Sequence, residues 1–204
     1  MNHVPALLAI LRGLEPALAA GVAETLYQAG VRCLEVPLNS PEPFDSIARV
    51  AKLALPGLTL GAGTVLNPAD VTRTRDAGGT LIVSPNCEPT VIRAALNFKM
   101  RVMPGFATAT EMFQAIGAGA TELKLFPAAP LGPDYLQALG AVLPAGIRIY
   151  PVGGVTRADI PAWLKAGARG FGFGSELFKP GYTLADVGAR ARELLQALES
   201  EQRR

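Results

Sequence analysis

Residues 117–125 read GAGATELKL, an Ala-Gly helix stop running into strand formers with a single lysine, Lys124, among them. Three more segments share this layout: QAGVRCLEV at 28–36, DAGGTLIVS at 76–84 and KAGARGFGF at 165–173. Their glycines, Gly30, Gly78, Gly119 and Gly167, are 48, 41 and 48 residues apart, each interval being about two strand–helix units. Between them LPGLTLGAG, NFKMRVMPG and LPAGIRIYPVGG supply the intervening strands. The β-rich runs are Leu7–Leu11, Cys33–Pro37, Thr59–Ala62, Thr80–Ser84, Arg101–Pro104, Glu122–Phe126, Arg148–Val152 and Gly170–Gly174. Helical stretches such as Pro16–Gln28, Pro68–Asp76 and Ala185–Leu198 follow them, several opening on Pro or on a cap such as Thr156-Arg-Ala-Asp159.

Eight nearly continuous apolar strands, each followed by a helix, predict a closed parallel (β/α)8 barrel, the TIM barrel. The alternative is a doubly wound open sheet. That fold should carry a glycine fingerprint after its first strand, whereas the glycine clusters here come late. The barrel is expected to occupy residues 1–204 as a single domain, with short loops, because 204 residues is near the lower size limit for it. No linker or low-complexity tract interrupts the chain, and the tail ESEQRR reads as a fraying helix end.

Half of the residues are apolar and 18% are charged, which excludes disorder and implies a heavily buried globule. A formal charge of +2, with lysine and arginine scattered, argues against nucleic acid as a partner. The N-terminal apolar run Val4–Leu11 is too short to span a bilayer and lacks a basic start and a cleavage site, so no membrane partner and a cytoplasmic location are expected. Cys33 and Cys87 are expected as reduced, small apolar groups. The only histidine is His3, close to the terminus, so neither a His-based triad nor a His/Cys metal cluster can be assembled.

In such a barrel the chemistry lies at the C-terminal ends of the strands. Unusual residues collect there: Arg12, Glu35, Asn39, Thr64, Asn86, Lys124, VGGVT and GFGSE. Backbone amides freed by Gly153 and Gly154, with a helix expected to start near Thr156, suit an anion. Gly172, Gly174 and Ser175 can complete that seat from the next strand, which predicts a phosphate site. A closed barrel has no edge strand for a lysine to snorkel from. Alternation puts Glu122, Lys124 and Phe126 on one face and Leu123 and Leu125 on the other. The apolar pair should face the helices and turn Lys124 inward, where loss of water lowers an amine's pKa and makes it a nucleophile toward ketones. Alternatively, Lys124 merely neutralises a substrate anion. Glu35, between Leu34 and Val36, is either a proton-transfer group or only a salt-bridge partner for Lys124. Trp163 is expected in packing and Glu122 in a stability role near the other end. Phe106 reads as substrate contact or structure, and Glu111 and Glu176 as solvated.

Taken together, LEVPLNSP, GAGTVLNP, SPN, PGFATATE, LKLFPA, PVGGVT and GFGSEL make nearly the whole chain resemble the KDPG/KHG aldolase family, the 2-keto-3-deoxy-6-phospho-sugar-acid aldolases. The resemblance implies a trimeric (β/α)8 barrel without metal or organic cofactor. It implies Lys124 as the Schiff-base lysine and Glu35 as general acid/base, acting on a phosphorylated keto sugar acid to release pyruvate. The chain departs from the family's gluconate-type pattern at Asn39, Arg12 and Val152, and all three choices resemble the 6-phosphogalactonate branch. Arg12, across the mouth, and Thr64 would then hold the substrate carboxylate. Gly153, Gly154, Gly174 and Ser175 would hold the phosphate, Asn86 would wall the site, and Val152 would bear on which C4 epimer fits. Two other readings stay open: a sugar-phosphate isomerase or epimerase using Glu35 as base, and a phosphate-binding barrel without chemistry.

Overall fold

The computed structural model describes residues 6–202. The expectations for His3, for the start of the N-terminal apolar run and for Arg203 and Arg204 lie outside those residues. The first half of the chain runs β1 (Ala6–Ile10), α1 (Pro16–Gln28), β2 (Cys33–Pro37), α2 (Pro43–Ala51), β3 (Thr59–Gly63), α3 (Pro68–Asp76), β4 (Leu81–Val83) and α4 (Pro89–Asn97). The second half runs β5 (Arg101–Met103), β6 (Gly105–Phe106), α5 (Ala109–Gly117), β7 (Glu122–Leu125), α6 (Ala128–Gly140), β8 (Arg148–Pro151), α7 (Ile160–Lys165), β9 (Gly170–Phe173) and α8 (Leu184–Gln202).

The Ala-Gly stops work as the repeat suggests. After α1, α3, α5 and α7 the alanine caps the helix and the glycine follows with φ between 90° and 108°. Each glycine N–H bonds back to a carbonyl of the last turn, at Tyr27, Arg75, Ile116 or Leu164. The next N–H reaches one residue further, to Leu26, Thr74, Ala115 or Trp163. Two carbonyls that would otherwise lack partners are thereby satisfied, and the chain is sent straight into a strand. Helices α2 and α4 are followed instead by the left-handed residues Ala54 (φ 47°) and Lys99 (φ 56°), which explains why the sequence repeat surfaces only in every second unit.

Among the described residues all strand pairings are parallel. Six strands curl into a half-barrel in the order β5-β4-β3-β2-β1-β9, and β6-β7-β8 form a second sheet. This differs from the continuous eight-stranded ladder expected from the sequence, for local reasons. The fifth strand breaks at Pro104, which has no N–H to donate, although its carbonyl accepts from Lys124 N–H at 2.8 Å. Between β8 and β9 the ladder thins to one bridge, Val152–Gly172, and a bond from Arg169 N–H to Ile149 C=O at 2.9 Å.

Side chains alternate as the two-residue period requires. Leu7, Ala9, Leu34, Val36, Ile82, Leu123 and Leu125 join the main core shared with the helices. Leu8, Ile10, Cys33, Leu81, Val83, Met103, Tyr150 and Val152 form a second cluster, in which residues from both sheets pack together. Phe106 and Trp163 are both buried in the main core, as expected for Trp163. Both cysteines are free, Cys33 buried and Cys87 partly so. Among the described residues no helix is long and apolar enough to cross a membrane.

Where β5, β7 and β8 begin, Glu122 is buried under a polar network. Arg101 donates to it at 2.5 and 3.0 Å, Arg148 lies 2.7 Å away, and the Tyr150 hydroxyl donates at 3.0 Å. Arg101 also donates to the Cys33 sulfur at 3.6 Å. This agrees with the stability role expected for Glu122.

Candidate active site

Glu35 and Lys124 lie on β2 and β7, and both are buried, at 1% and 5% exposure. On the ladder Glu35 lies opposite Ile10 of β1 and Gly61 of β3, and Lys124 opposite Gly105 and Tyr150. The direct salt bridge weighed for this pair does not form. Glu35 Oε2 is buried without a hydrogen-bond partner, and the two groups act on each other only through space. Burial pushes the Glu35 carboxyl up from its ordinary value against the lowering pull of Lys124 and Arg12. Burial pushes the Lys124 amine down against the raising pull of Glu35, and the Arg12 charge adds to the fall. Desolvation therefore outweighs pairing at both, and each is drawn toward its neutral form. The Phe126 ring, two residues along the same face, lies 4.8 Å from Lys124 Nζ.

The rim is built from the loops after β1 and β2. Arg12 donates to Asn39 Oδ1, and Gly13 N–H donates to the buried Ser40 Oγ at 3.0 Å, so the two loops are stitched together. Arg12 and Asn39 are thus bonded neighbours rather than residues facing one another across the mouth. Arg12 is exposed, and its charge reaches both Glu35 and Lys124. Thr64 directly follows β3 at φ 58°, a left-handed position that a β-branched residue occupies only under strain. Asn86 is exposed, and its bond is a backbone one: its carbonyl accepts from Gly105 N–H at 3.2 Å.

Val152 is buried in the inner cluster and packs over Gly172 of β9, where an added Cβ would come within 2.6 Å of Val152 Cγ2. The Val152–Gly172 bridge makes neighbours of the turns that follow, which carry Gly153 and Gly154 on one side and Gly174 and Ser175 on the other. Gly153 and Gly154 are both left-handed, at φ 94° and 77°. Gly154 and Ser175 are exposed, and a Cβ on Gly174 would meet only Ile10, in ordinary contact at 3.9 Å. The helix part of the expected anion seat is different. Thr156 precedes a three-residue 3-10 turn, Arg157–Asp159, and its N–H and hydroxyl both donate to Asp159 at 2.8 Å. Those two donors are engaged. Glu111, read as solvated, is half-buried and caps α5 by accepting from Ala107 and Thr108 N–H. Glu176 is also half-buried.

Sequence reasoning passed over Gly63, whose bare α-carbon lies against the Glu35 carboxyl, and Ser40, which ties the two rim loops. It placed Phe126 on the Lys124 face without giving it a part in the site.

A buried amine drawn toward neutrality near a buried, unpartnered carboxyl, on parallel α/β sheets, is the equipment of a Schiff-base-forming enzyme. Residues 4–188 match the family model for KDPG and KHG aldolase, and the chain belongs to that family. It is 48% identical over 194 residues to a Rhizobium meliloti protein named "Probable 2-dehydro-3-deoxy-6-phosphogalactonate aldolase", covering 95% of this chain and 92% of that one. It is 42% identical over 191 residues to the Escherichia coli 2-dehydro-3-deoxy-6-phosphogalactonate aldolase, covering 94% and 93%. A solved structure described as native KDPGal superimposes with a TM-score of 0.95 at 40% identity, covering 97% of this chain and 96% of that one.

Proposed function

We propose that this protein is a class I aldolase that cleaves 2-dehydro-3-deoxy-6-phosphogalactonate to pyruvate and D-glyceraldehyde 3-phosphate. The observation that carries the reading is Lys124: an amine 5% exposed and drawn toward neutrality is poised to add to a ketone. Its nitrogen attacks C2, and loss of water gives a protonated imine. Glu35, in its carboxylate form, takes the proton of the C4 hydroxyl. The C3–C4 electron pair moves into the iminium, the aldehyde leaves, and an enamine remains. Glu35, now the acid, returns the proton to C3, and hydrolysis frees pyruvate and the amine. A carboxyl pushed up by burial suits a group that must alternate between these forms.

Arg12 and Thr64 hold the carboxylate end, and the Gly153, Gly154, Gly174 and Ser175 turns hold the phosphate, with Asn86 at the wall. Fixing both ends brings C2 to Lys124. The galactonate epimer is favoured by the two relatives' names and by Arg12, Asn39 and Val152, the residues at which the chain departs from the gluconate-type pattern. We further propose that the two sheets act as one closed eight-stranded barrel over the whole chain. The Val152–Gly172 bridge and the single-residue break at Pro104 support this closure. We place the enzyme in the cytoplasm as a homotrimer, on the family resemblance.

The test is to incubate the protein with pyruvate, reduce with borohydride and weigh the tryptic peptide containing Lys124. A pyruvate-derived adduct is expected there and not in Lys124→Met; a folded wild-type protein without one overturns the mechanism. A coupled assay of pyruvate release is expected to give the higher kcat/KM on the galactonate epimer, and a higher value on the gluconate epimer overturns the substrate assignment.

A further inference from the structure

We propose that Gly63 is a positioning residue: its bare α-carbon is the seat on which the Glu35 carboxyl rests. A side chain at position 63 would displace the group that moves protons in the reaction. The inference rests on the aldolase reading above and adds to it a residue that acts through Glu35.

Gly63 is the last residue of β3 and lies opposite Pro37, two rungs beyond the pairing of Glu35 with Gly61. A strand side chain leans along its strand, which brings the Glu35 carboxyl over position 63. A Cβ built on Gly63 would lie 1.2 Å from Glu35 Oε2, 2.2 Å from Cδ and 2.7 Å from Oε1, and these are its three nearest atoms. The carboxyl therefore occupies the volume of the absent methyl group. The backbone does not require glycine here, because Gly63 is outside the left-handed region. The neighbouring glycines have other causes: Gly61 is crowded by the Leu81 backbone, at 1.8 Å from its carbonyl oxygen, and Gly172 by Val152. Because Oε2 has no hydrogen-bond partner, packing against this α-carbon holds the group in place. A seat made of C–H also leaves the oxygen's lone pairs free for a substrate proton, which a seat of N–H donors would not.

An added methyl group must push the carboxyl more than an ångström from this position, and a misplacement of that size costs roughly 100-fold in rate. Gly63→Ala is expected to retain the borohydride-trapped pyruvate adduct on Lys124. It should exchange the methyl protons of pyruvate with D2O, and turn over substrate, roughly 100-fold more slowly than wild type, with KM little changed. Glu35→Asp, one methylene shorter, should harm the Gly63→Ala protein much less than the wild type, because the shorter acid clears the methyl group. Wild-type exchange and turnover in Gly63→Ala, or additive effects of the two substitutions, would overturn the proposal. Thermal melting gives an independent readout. Gly63→Ala should lower Tm and Glu35→Asp in the same chain should restore it; no loss, or a loss that Glu35→Asp does not relieve, overturns the seat. A double variant that fails to fold also overturns it, since something other than the carboxyl would then reject the methyl group. If wild-type protein forms no adduct, the aldolase reading fails, and the melting series still decides whether the carboxyl rests on Gly63.

Discussion

Glu35 and Glu122 are equally removed from water, at 1% and 2% exposure, yet their surroundings treat them in opposite ways. At the start of β7 the Glu122 carboxyl is pushed up by burial and then carried below its ordinary value by Arg101, Arg148 and the Tyr150 hydroxyl. Arg101 is correspondingly raised, and Tyr150 is pushed up to about 12. Two residues further along the same strand, Lys124 has no bonded counter-ion, and neither does Glu35 facing the same end. Burial thus fixes charge at one end and discourages it at the other. A paired buried charge adds structure, whereas an unpaired one is kept only where chemistry uses it.

The largest effect that could break this contrast is on rate. Glu35→Gln is expected to lower kcat by about 10²–10⁴-fold while the trapped pyruvate adduct at Lys124 persists. Near-full turnover in that variant would remove Glu35 from the proton-transfer role. Glu122→Gln should do the reverse: it weakens a polar network whose arginines stay partly open to water, and should lower unfolding free energy by about 1.5–3 kcal/mol in denaturant titrations, with the pH profile of turnover unchanged.

The same variant sharpens the contrast in acid. The Glu122 pKa is lowered on folding, so the unfolded chain holds more protons. Its contribution is complete above 4.5 and is lost as pH falls through the folded value. The acid limb of the stability curve should therefore be steeper in wild type than in Glu122→Gln. Lys124→Met should raise stability by about 0.5–2 kcal/mol at neutral pH, the expected sign when a poorly paired buried amine gives way to an apolar chain. The gain should shrink as pH climbs toward 10.5, where the unfolded lysine also loses its proton. Tyr150→Phe removes one donor to Glu122 and should cost about 1 kcal/mol of stability, with catalysis untouched.

Much of this arrangement could be read from the chain, because its signals are local. Strand β2 and helices α1 and α3 fall at the expected residues, since Pro openings, Ala-Gly stops and unbroken apolar runs act within a few positions. The inward turn of Lys124 followed from strict alternation on β7. What stayed hidden depends on residues distant in sequence. Arg12 and Asn39 are 27 positions apart, and Arg101 and Glu122 are 21 apart, so only folding makes them neighbours. Gly63 was visible as a glycine, but nothing near it in the chain says that a carboxyl 28 positions earlier fills its missing methyl. The break at Pro104 could have been foreseen from proline's missing donor, and that signal was outweighed by the apolar run around it.

The burial of Lys124, with the Phe126 ring 4.8 Å from its nitrogen, has one further consequence. A free lysine samples many rotamers, and confining it takes up to about 2 kcal/mol of entropy. Here that freedom is surrendered when the chain folds, so an arriving ketone meets a nitrogen whose direction is already chosen.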